Sequence, residues 1–423
     1  MRLNILIGGK AGQGINKISE IVSDVLAKNG YFTFNYRDYQ SMIRGGHNFN
    51  ILSVSDVWIA SHETKIDGIV ALDDKTADMH KKELKKDGFI ITAKGLENLG
   101  LNLNVALAGS LIKVLGFDKK ILIQEIKEQL GDKAAEAVDK GYCCQKQKFS
   151  LKKLNNKITI LSGSQGISQG AINSGIDLFF SYPMTPATGV LHELAALQKE
   201  KGHMVFQPEN EIAVANSALG ASFAGAKVMI GTSGGGFDLM TEALSFSGQS
   251  EIPLVVYLAS RSGPGTGVPT YSGQGDLDVA LRAGHGEFPR IVVAPGDPVE
   301  CQELVNEGFY LAEKFNTLSI ILSDKHLAES EFSINKQINK PLQVKVTRKV
   351  PGEGIVKANS YEHDKLGNTS ESAETSIEGA ERRLRKYQEI KKEVKKFQMI
   401  KIYGKKDSKN LVIGWGSTKG AIL

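Results

Sequence analysis

Four segments hold the side chains best able to do chemistry, and each follows an apolar run. In Ser181-Tyr182-Pro183-Met184-Thr185-Pro186, Thr185 is placed as a helix N-cap and Pro186 as the first helical residue, where its missing N–H costs nothing. The helix then runs to about Lys201 and stops at Gly202. Such an end combines free N–H groups, a hydroxyl and a positive dipole. Capping accounts for Thr185 and Pro186, but not for Tyr182 and Pro183 before them. Pro208-Glu209-Asn210-Glu211 sets two carboxylates at the start of a small-residue helix, Ile212 to Phe223. They suit the helix dipole, and the Ala, Ser and Gly of that helix let a ligand or a partner backbone come close. Gly231-Thr232-Ser233-Gly234-Gly235-Gly236 is a strand-to-helix glycine loop. Arg261 opens the segment Arg261-Ser262-Gly263-Pro264-Gly265-Thr266-Gly267-Val268-Pro269-Thr270, and a guanidinium there can pair bidentately with a carboxylate or phosphate. Alone, each loop says little. Four at successive strand ends mark the edge where open α/β sheets bind ligands.

Two further loops lie near the N-terminus. Gly8-Gly9-Lys10-Ala11-Gly12-Gln13-Gly14 joins a strand, Leu3 to Ile7, to a helix, Ile15 to about Lys28, and offers N–H groups to an anion. Its G-x-x-G-x-G spacing reverses the dinucleotide fingerprint, and no Gly-Lys-Ser/Thr follows as in a P-loop. It is a tight structural turn or, with Asp38 downstream, a nucleotide site. In Arg44-Gly45-Gly46-His47-Asn48 a cation and an imidazole flank two glycines, either as a binding loop or around a structural histidine.

The elements that position these loops alternate strand and helix. Strands are predicted at Leu3–Ile7, Tyr31–Phe34, Phe49–Val54, Gly68–Ala71 and Gly88–Thr92, with one helix over Leu111–Leu130. After a lysine-rich linker, 146–157, a second block has strands at Ile158–Leu161, Leu178–Ser181, Met204–Phe206, Lys227–Gly231, Leu254–Leu258, Ile291–Ala294 and Leu318–Leu322. Residues 328–370 read as an extended arm. Ile377, Leu384, Tyr387, Val394 and Phe397 mark a long amphipathic helix. Residues 410–423 read as a strand, a glycine loop and a first helical turn. The fold class is α/β, two domains with mostly parallel sheets. The division is 1–155, 156–327, an arm and helix over 328–400, and the cut-off start of a third α/β domain over 401–423.

Composition narrows the function classes. Glycine, 45 of 423 residues, exceeds the average of about 7% while proline numbers only 11, so collagen-like and low-complexity classes are excluded. No uncharged apolar run of membrane-spanning length and no signal peptide occur, which points away from a membrane and to the cytoplasm. Three cysteines, Cys143, Cys144 and Cys301, give no disulfide framework and no cluster or metal set. The net charge of +5 is concentrated between Glu381 and Lys406, where eleven Lys or Arg face three Glu. Without interleaved aromatics this reads as the solvated face of a helix, with no nucleic-acid partner.

Taken together, the loops resemble the 2-oxoacid:ferredoxin oxidoreductases. Tyr182-Pro183-Met184-Thr185-Pro186-Ala187-Thr188 is similar to the Y-P-I-T-P-S-S motif of their α subunit, and the segments around Glu211, Gly234 and Arg261 follow in the family's order and spacing. Gly9–Gly14 with Arg44-Gly45-Gly46 resembles the γ domain of these enzymes. Tyr361-Glu362-His363-Asp364-Lys365-Leu366-Gly367 and Glu381–Arg385 resemble the segment before the third domain. The likeness covers essentially the whole chain, as a fused γ–α subunit of the 2-oxoglutarate type. It implies a thiamine-diphosphate enzyme that decarboxylates a 2-oxoacid, forms acyl-CoA and reduces ferredoxin. By that resemblance Glu211, with Glu209 as runner-up, hydrogen-bonds N1′ of the aminopyrimidine, and Gly234 also lies against the cofactor. Thr185 lies near C2 and the substrate, Arg261 neutralises the substrate carboxylate, and Tyr182 and Pro183 line the substrate site. Met184, Ala187-Thr188 and Gly235 depart from the family pattern. No G-D-G motif with a following Asn and no C-x-x-C motif occur. The resemblance therefore assigns Mg2+ and a [4Fe-4S] cluster to a β subunit, in a dimer of heterodimers, and leaves this chain inactive alone. The rival readings are a nucleotide-dependent oxidoreductase subunit using Gly9–Gly14 and a non-catalytic scaffold.

Overall fold

The computed structural model describes residues 1–40, 46–405 and 407–423, which form two compact units. The first comprises Met1–Ser162 with Glu329–Gln337, the second Gly163–Ala328 with Ile338–Leu423.

The first unit begins with β1 (Arg2–Lys10), α1 (Ile15–Lys28), β2 (Phe32–Asp38), β3 (His47–Ser55) and β4 (Ile66–Ala71). α2 (Asp74–His80) and β5 (Leu84–Thr92) follow, then three helices, α3 (Leu103–Leu115), α4 (Lys119–Leu130) and α5 (Asp132–Cys143), and β6 (Thr159–Ser162). The sheet order is β5, β4, β1, β3, β2, the strand Glu331–Ile334, then β6. Only the β1–β4 and β4–β5 ladders are parallel. The core is built from the buried face of α1, the near-wholly buried α3, and Ile5, Ile7, Leu52 and Val54 of the sheet.

In the second unit α6 (Gly163–Asn173), β7 (Leu178–Ser181), α7 (Thr188–Lys201), β8 (Met204–Phe206), α8 (Glu211–Phe223) and β9 (Val228–Thr232) alternate regularly. α9 (Gly234–Leu239), α10 (Thr241–Ser250), β10 (Leu254–Ser262), β11 (Val268–Ser272) and α11 (Leu277–Arg282) come next. β12 (Arg290–Val293), α12 (Pro298–Phe315), β13 (Leu318–Asp324) and α13 (Lys325–Glu329) complete the block; α14 (Ala373–Glu393) and α15 (Thr418–Ile422) lie beyond the arm. The sheet order is β12, β13, β10, β9, β7, β8, all parallel, with β11 folded back antiparallel on β10. Leu254–Ser260 is buried at every position, as expected of a central parallel strand covered on both faces. Across both sheets of the described residues parallel ladders outnumber antiparallel ones, seven to five, so the α/β class with mostly parallel strands holds.

Several elements differ from the sequence reading, each for a local physical reason. The single helix over Leu111–Leu130 is two helices. Gly116 ends α3 in the left-handed conformation (φ 89°), and Asp118 caps α4 by accepting from Lys120 N–H at 2.8 Å. Thr159–Ser162, read as opening the second block, pairs with Glu331–Ile334 at the edge of the first sheet. That strand lies inside the supposed arm and is fixed by Phe332 packing edge-on against Phe34. Residues 410–415 form no strand: their backbone finds no neighbouring strand among the described residues, and Leu411, Val412 and Ile413 are exposed.

α14 docks by charge over most of its length and by apolar packing at its C-terminal end, where Ile390, with Val394 and Phe397 just beyond it, packs with Ile291 and Leu311. Ile377, Leu384 and Tyr387 are exposed, whereas Arg382 and Lys386 meet Glu251 at 3.3 and 3.1 Å and Arg383 meets Glu362 at 2.6 Å. Part of the basic run is therefore spent inside the fold. One stretch, Glu97–Leu115, is long and apolar enough to cross a membrane. Here it is a 3-10 segment bent at Gly100 followed by the core helix α3, and it is mostly buried.

Candidate functional site

The carboxyl ends of β7, β9 and β10 in the second unit bring the loops of interest together. After β7 the Thr185–Pro186 peptide is cis, and a turn is closed by the Ala187 N–H donating to the Met184 carbonyl at 2.8 Å. That turn uses the amide a helix start would need, so α7 begins at Thr188 and Thr185 is not its N-cap, against the sequence reading. The Thr185 main chain has another use: its carbonyl accepts from Arg261 Nη1 at 2.8 Å. Tyr182 and Pro183 stand exposed at the same strand end, and Ser181 Oγ donates to the Gly231 carbonyl at 2.8 Å, tying β7 to the β9 loop.

α8 starts one turn after β8, with Asn210 as N-cap accepting from Ala213 N–H at 2.9 Å. The cap sends the two carboxylates different ways. Glu209 is exposed, while Glu211, the first helical residue, is 4% exposed and its Oε1 is buried without a hydrogen-bond partner. The glycine loop after β9 lies against it: a Cβ on Gly236 would sit 2.7 Å from Glu211 Cγ and 2.8 Å from its Oε1. Only glycine permits that approach. Ser233 Oγ, fully buried before α9, also lacks a partner.

Arg261 lies on the last turn of β10 before the hairpin to β11, longer than the strand predicted at Leu254–Leu258. Its Nε is buried and unpartnered. Burial pulls the guanidinium below its usual value, and the charges of Asp276 and Glu211 push it back up. Asp276 was not singled out from the sequence. Its carboxyl is pushed above the ordinary range, chiefly by burial and also by Asp238, with Ser260 and Arg261 pulling it back down, and Oδ2 has no partner. A Cβ on Gly234 would lie 2.9 Å from that oxygen. Preceding α11, Asp276 reads locally as an N-cap, yet it makes no cap bond; only the sheet edge shows where it points. Thr185, Glu211, Gly234 and Arg261 thus meet in one place, with Asp276 and Ser233 added.

A buried carboxylate without a partner is costly unless something completes it. This edge presents such a carboxylate, a held guanidinium and closely approached glycines. It can bind an anion and exchange a proton with a ring nitrogen. A cavity of about 720 Å³ lies elsewhere, between Asn216, Leu219 and Phe223 of α8 and arm residues such as Val356 and Ala358.

In the first unit Gln13 fills the glycine loop, accepting from Lys10 N–H at 2.6 Å and donating to the Leu72 carbonyl at 3.3 Å. His47 faces His80, Nε2 to Nε2 at 2.8 Å. Arg44 and Gly45 lie outside the described residues.

The sequence profile described as pyruvate flavodoxin/ferredoxin oxidoreductase, thiamine diphosphate-binding, matches residues 169–399, and a second, pyruvate ferredoxin/flavodoxin oxidoreductase, matches 4–100. The α subunit of a 2-oxoacid:ferredoxin oxidoreductase from Sulfolobus sp is 31% identical over all of this chain and 84% of its own length. This chain belongs to the 2-oxoacid:ferredoxin oxidoreductases. It is an α subunit of that multisubunit family and carries its thiamine-diphosphate-binding domain. The family member KorA, a 2-oxoglutarate synthase subunit of Archaeoglobus fulgidus, is 38% identical over 41% of this chain and 51% of its own. In fold, the chain follows a 2-oxoglutarate:ferredoxin oxidoreductase from Magnetococcus marinus, solved with 2-oxoglutarate, coenzyme A and succinyl-CoA bound. The TM-score is 0.89 at 24% identity, over all of this chain and 84% of that one.

Proposed function

We propose that this α subunit works with a β subunit to decarboxylate a 2-oxoacid, 2-oxoglutarate first among them, passing the acyl group to CoA, the electron pair to ferredoxin and the carboxylate out as CO2. The observation that carries the reading is the buried, unpartnered Oε1 of Glu211 at the mouth of a glycine loop, with Arg261 held nearby. Those residues fit thiamine diphosphate: Glu211 would hold N1′ of the aminopyrimidine, and Gly234 and Gly236 let the ring come close. When bound, that cofactor supplies a carbon nucleophile for the 2-oxo carbon and an electron sink for the departing carboxylate. Glu211 Oε1, out of reach of bulk water, would be the atom that shares a proton with that ring nitrogen. Arg261, braced on the Thr185 carbonyl, receives the substrate carboxylate.

The domain division stated above, with the third α/β domain beginning at 401, is part of this reading, except that the strands Thr159–Ser162 and Glu331–Ile334 belong to the first sheet. So are Mg2+ and [4Fe-4S] in the β subunit, a dimer of heterodimers, and a cytoplasmic setting. Exposed Tyr182, Phe206, Ile212, Leu239 and Val268 at this sheet edge support a covering partner. The similarity to KorA supports 2-oxoglutarate.

The test is dye or ferredoxin reduction by the reconstituted complex with pyruvate, 2-oxoglutarate and branched 2-oxoacids. Glu211→Ala should lower kcat by about 10²–10⁴-fold and Glu209→Ala hardly at all. Near-normal activity of Glu211→Ala would instead favour a scaffold subunit.

A further inference from the structure

Asp324 closes β13 at 1% exposure, and helix capping explains only part of what its carboxylate does. Oδ1 accepts from Leu327 N–H at 3.0 Å, the bond expected of the residue before the short α13. Oδ2 has no capping duty. It accepts from Gln274 Nε2 at 3.0 Å and from Ser417 Oγ at 2.6 Å. Ser272 Oγ donates to Oδ1 at 3.4 Å, and the same hydroxyl accepts from His326 N–H at 3.3 Å, which leaves its proton free to point at the carboxylate. The two oxygens of Asp324 thus hold Ser272 and Gln274, the residues on either side of Gly273.

Gly273 lies directly on Arg261. A Cβ at Gly273 would stand 2.8 Å from the Ser262 nitrogen and 2.9 Å from the Arg261 carbonyl carbon, so the returning arm of the hairpin is pressed onto the main chain of the arginine. The β10–β11 ladder pairs Arg261 with Ser272 and then shifts register at Ser262. Such an irregularity weakens the ladder's own hold on the strand. Asp324 grips the partner strand at that point, and its own place is set by the sheet, where it pairs with Ser260 in the parallel β10–β13 ladder. The guanidinium is held separately, by the Thr185 carbonyl at 2.8 Å. The grip is completed from far along the chain: Gln274 Nε2 also donates to the Trp415 carbonyl at 3.2 Å, and Ser417 lies 93 residues beyond Asp324.

We propose that Asp324 is a positioning residue for Arg261, acting through the hairpin, and that the Trp415–Ser417 segment locks its grip. With Ser272 and Gln274 held, Gly273 keeps the Arg261 main chain seated, and the side chain reaches the Thr185 carbonyl with its remaining N–H groups turned to an incoming carboxylate. This rests on the substrate role of Arg261 proposed above. Loosening the grip lets the hairpin lift and weakens 2-oxoacid capture. Glu211, placed by the Asn210 cap and the α9 loop, lies outside this path, so turnover of bound substrate is little changed.

The experiment compares Asp324→Asn, Gln274→Met, Ser417→Ala, Arg261→Lys and the Gln274→Met/Arg261→Lys double variant in the reconstituted enzyme. It reads kcat and the KM values for the 2-oxoacid and for CoA, with thermal unfolding as the control for folding. Gln274→Met and Asp324→Asn should each raise the 2-oxoacid KM about ten-fold, with kcat and the CoA KM within about two-fold, the scale of coupling inside one polar network. Ser417→Ala, which removes one bond, should raise it about three-fold. The double variant should show little beyond Arg261→Lys. If Arg261→Lys leaves the 2-oxoacid KM unchanged, the substrate role of Arg261 fails. If Arg261→Lys raises it but the hairpin variants do not, or if they shift both KM values alike or only lower Tm, this inference fails alone. Should Asp324→Asn not fold, Gln274→Met and Ser417→Ala decide.

Discussion

Gly236→Ala is a sharp probe of the site because the added atom is small and its collisions are known. Gly236 sits inside α9 with ordinary helical backbone, so alanine itself gains about 1 kcal/mol of helix propensity. Against that, the methyl would stand 2.3 Å from Thr232 Oγ1, 2.7 Å from Glu211 Cγ and 2.8 Å from Glu211 Oε1. Carbon contacts settle near 3.5–4.0 Å, so the Glu211 side chain must retreat by roughly 1 Å. Overpacking of this kind costs about 1–3 kcal/mol, which leaves net stability near neutral to about 2 kcal/mol lower. Catalysis should suffer far more, since a 1 Å misplacement can cost on the order of 10²-fold in rate. The assay pairs kcat of the reconstituted complex with thermal unfolding of the same preparation. A variant that loses little stability and about 10²-fold in kcat supports Glu211 as the residue whose exact reach matters. A kcat within about three-fold of wild type, with the fold intact, would refute the reasoning.

Other outcomes follow from the same physics. Lys419 binds Asp297 Oδ2 at 2.6 Å and Glu300 Oε1 at 2.5 Å, so Lys419→Met should cost about 1–3 kcal/mol and speed amide exchange over 415–423. Burial alone would raise the Glu300 carboxyl, but Lys401 and Lys419 hold it below the ordinary range. Its stabilisation is thus full above about pH 4.3 and lost as pH falls further, which Trp415 fluorescence should follow. Gly141→Ala would drive a methyl to 1.7 Å from the Ala106 carbonyl between α5 and α3. A loss of about 3 kcal/mol or more in a denaturant melt is expected, and unchanged stability would mean the helices are not so closely packed.

The alternation of strands and helices and the four loops of the second unit were legible in order and type, whereas the preference for Glu211 over Glu209 came only with the family resemblance. What local pattern misjudged was what depends on distant partners. Thr185 looks like a cap because its neighbours are helix-starting residues, but its carbonyl serves Arg261, 76 residues away. The apolar stripe of α14 suggested a face buried along its length, yet only its C-terminal end packs, and Glu251 and Glu362, remote in sequence, turn Arg382, Arg383 and Lys386 inward. The local signal of Asp276 is that of a helix N-cap, a bond it does not make.

Residue types and short-range spacing decide which chemistry a chain can attempt, because capping, glycine turns and strand periodicity act within a few residues. On those grounds alone this sequence determined an α/β chain with a carboxylate, a guanidinium and glycine loops at strand ends. Tertiary structure decided which carboxylate is buried and lacks a partner, and which carbonyl braces the arginine. It also decided that the strand Glu331–Ile334 returns to the first sheet. Burial and long-range hydrogen bonding are properties of the packed chain, and no local pattern encodes them.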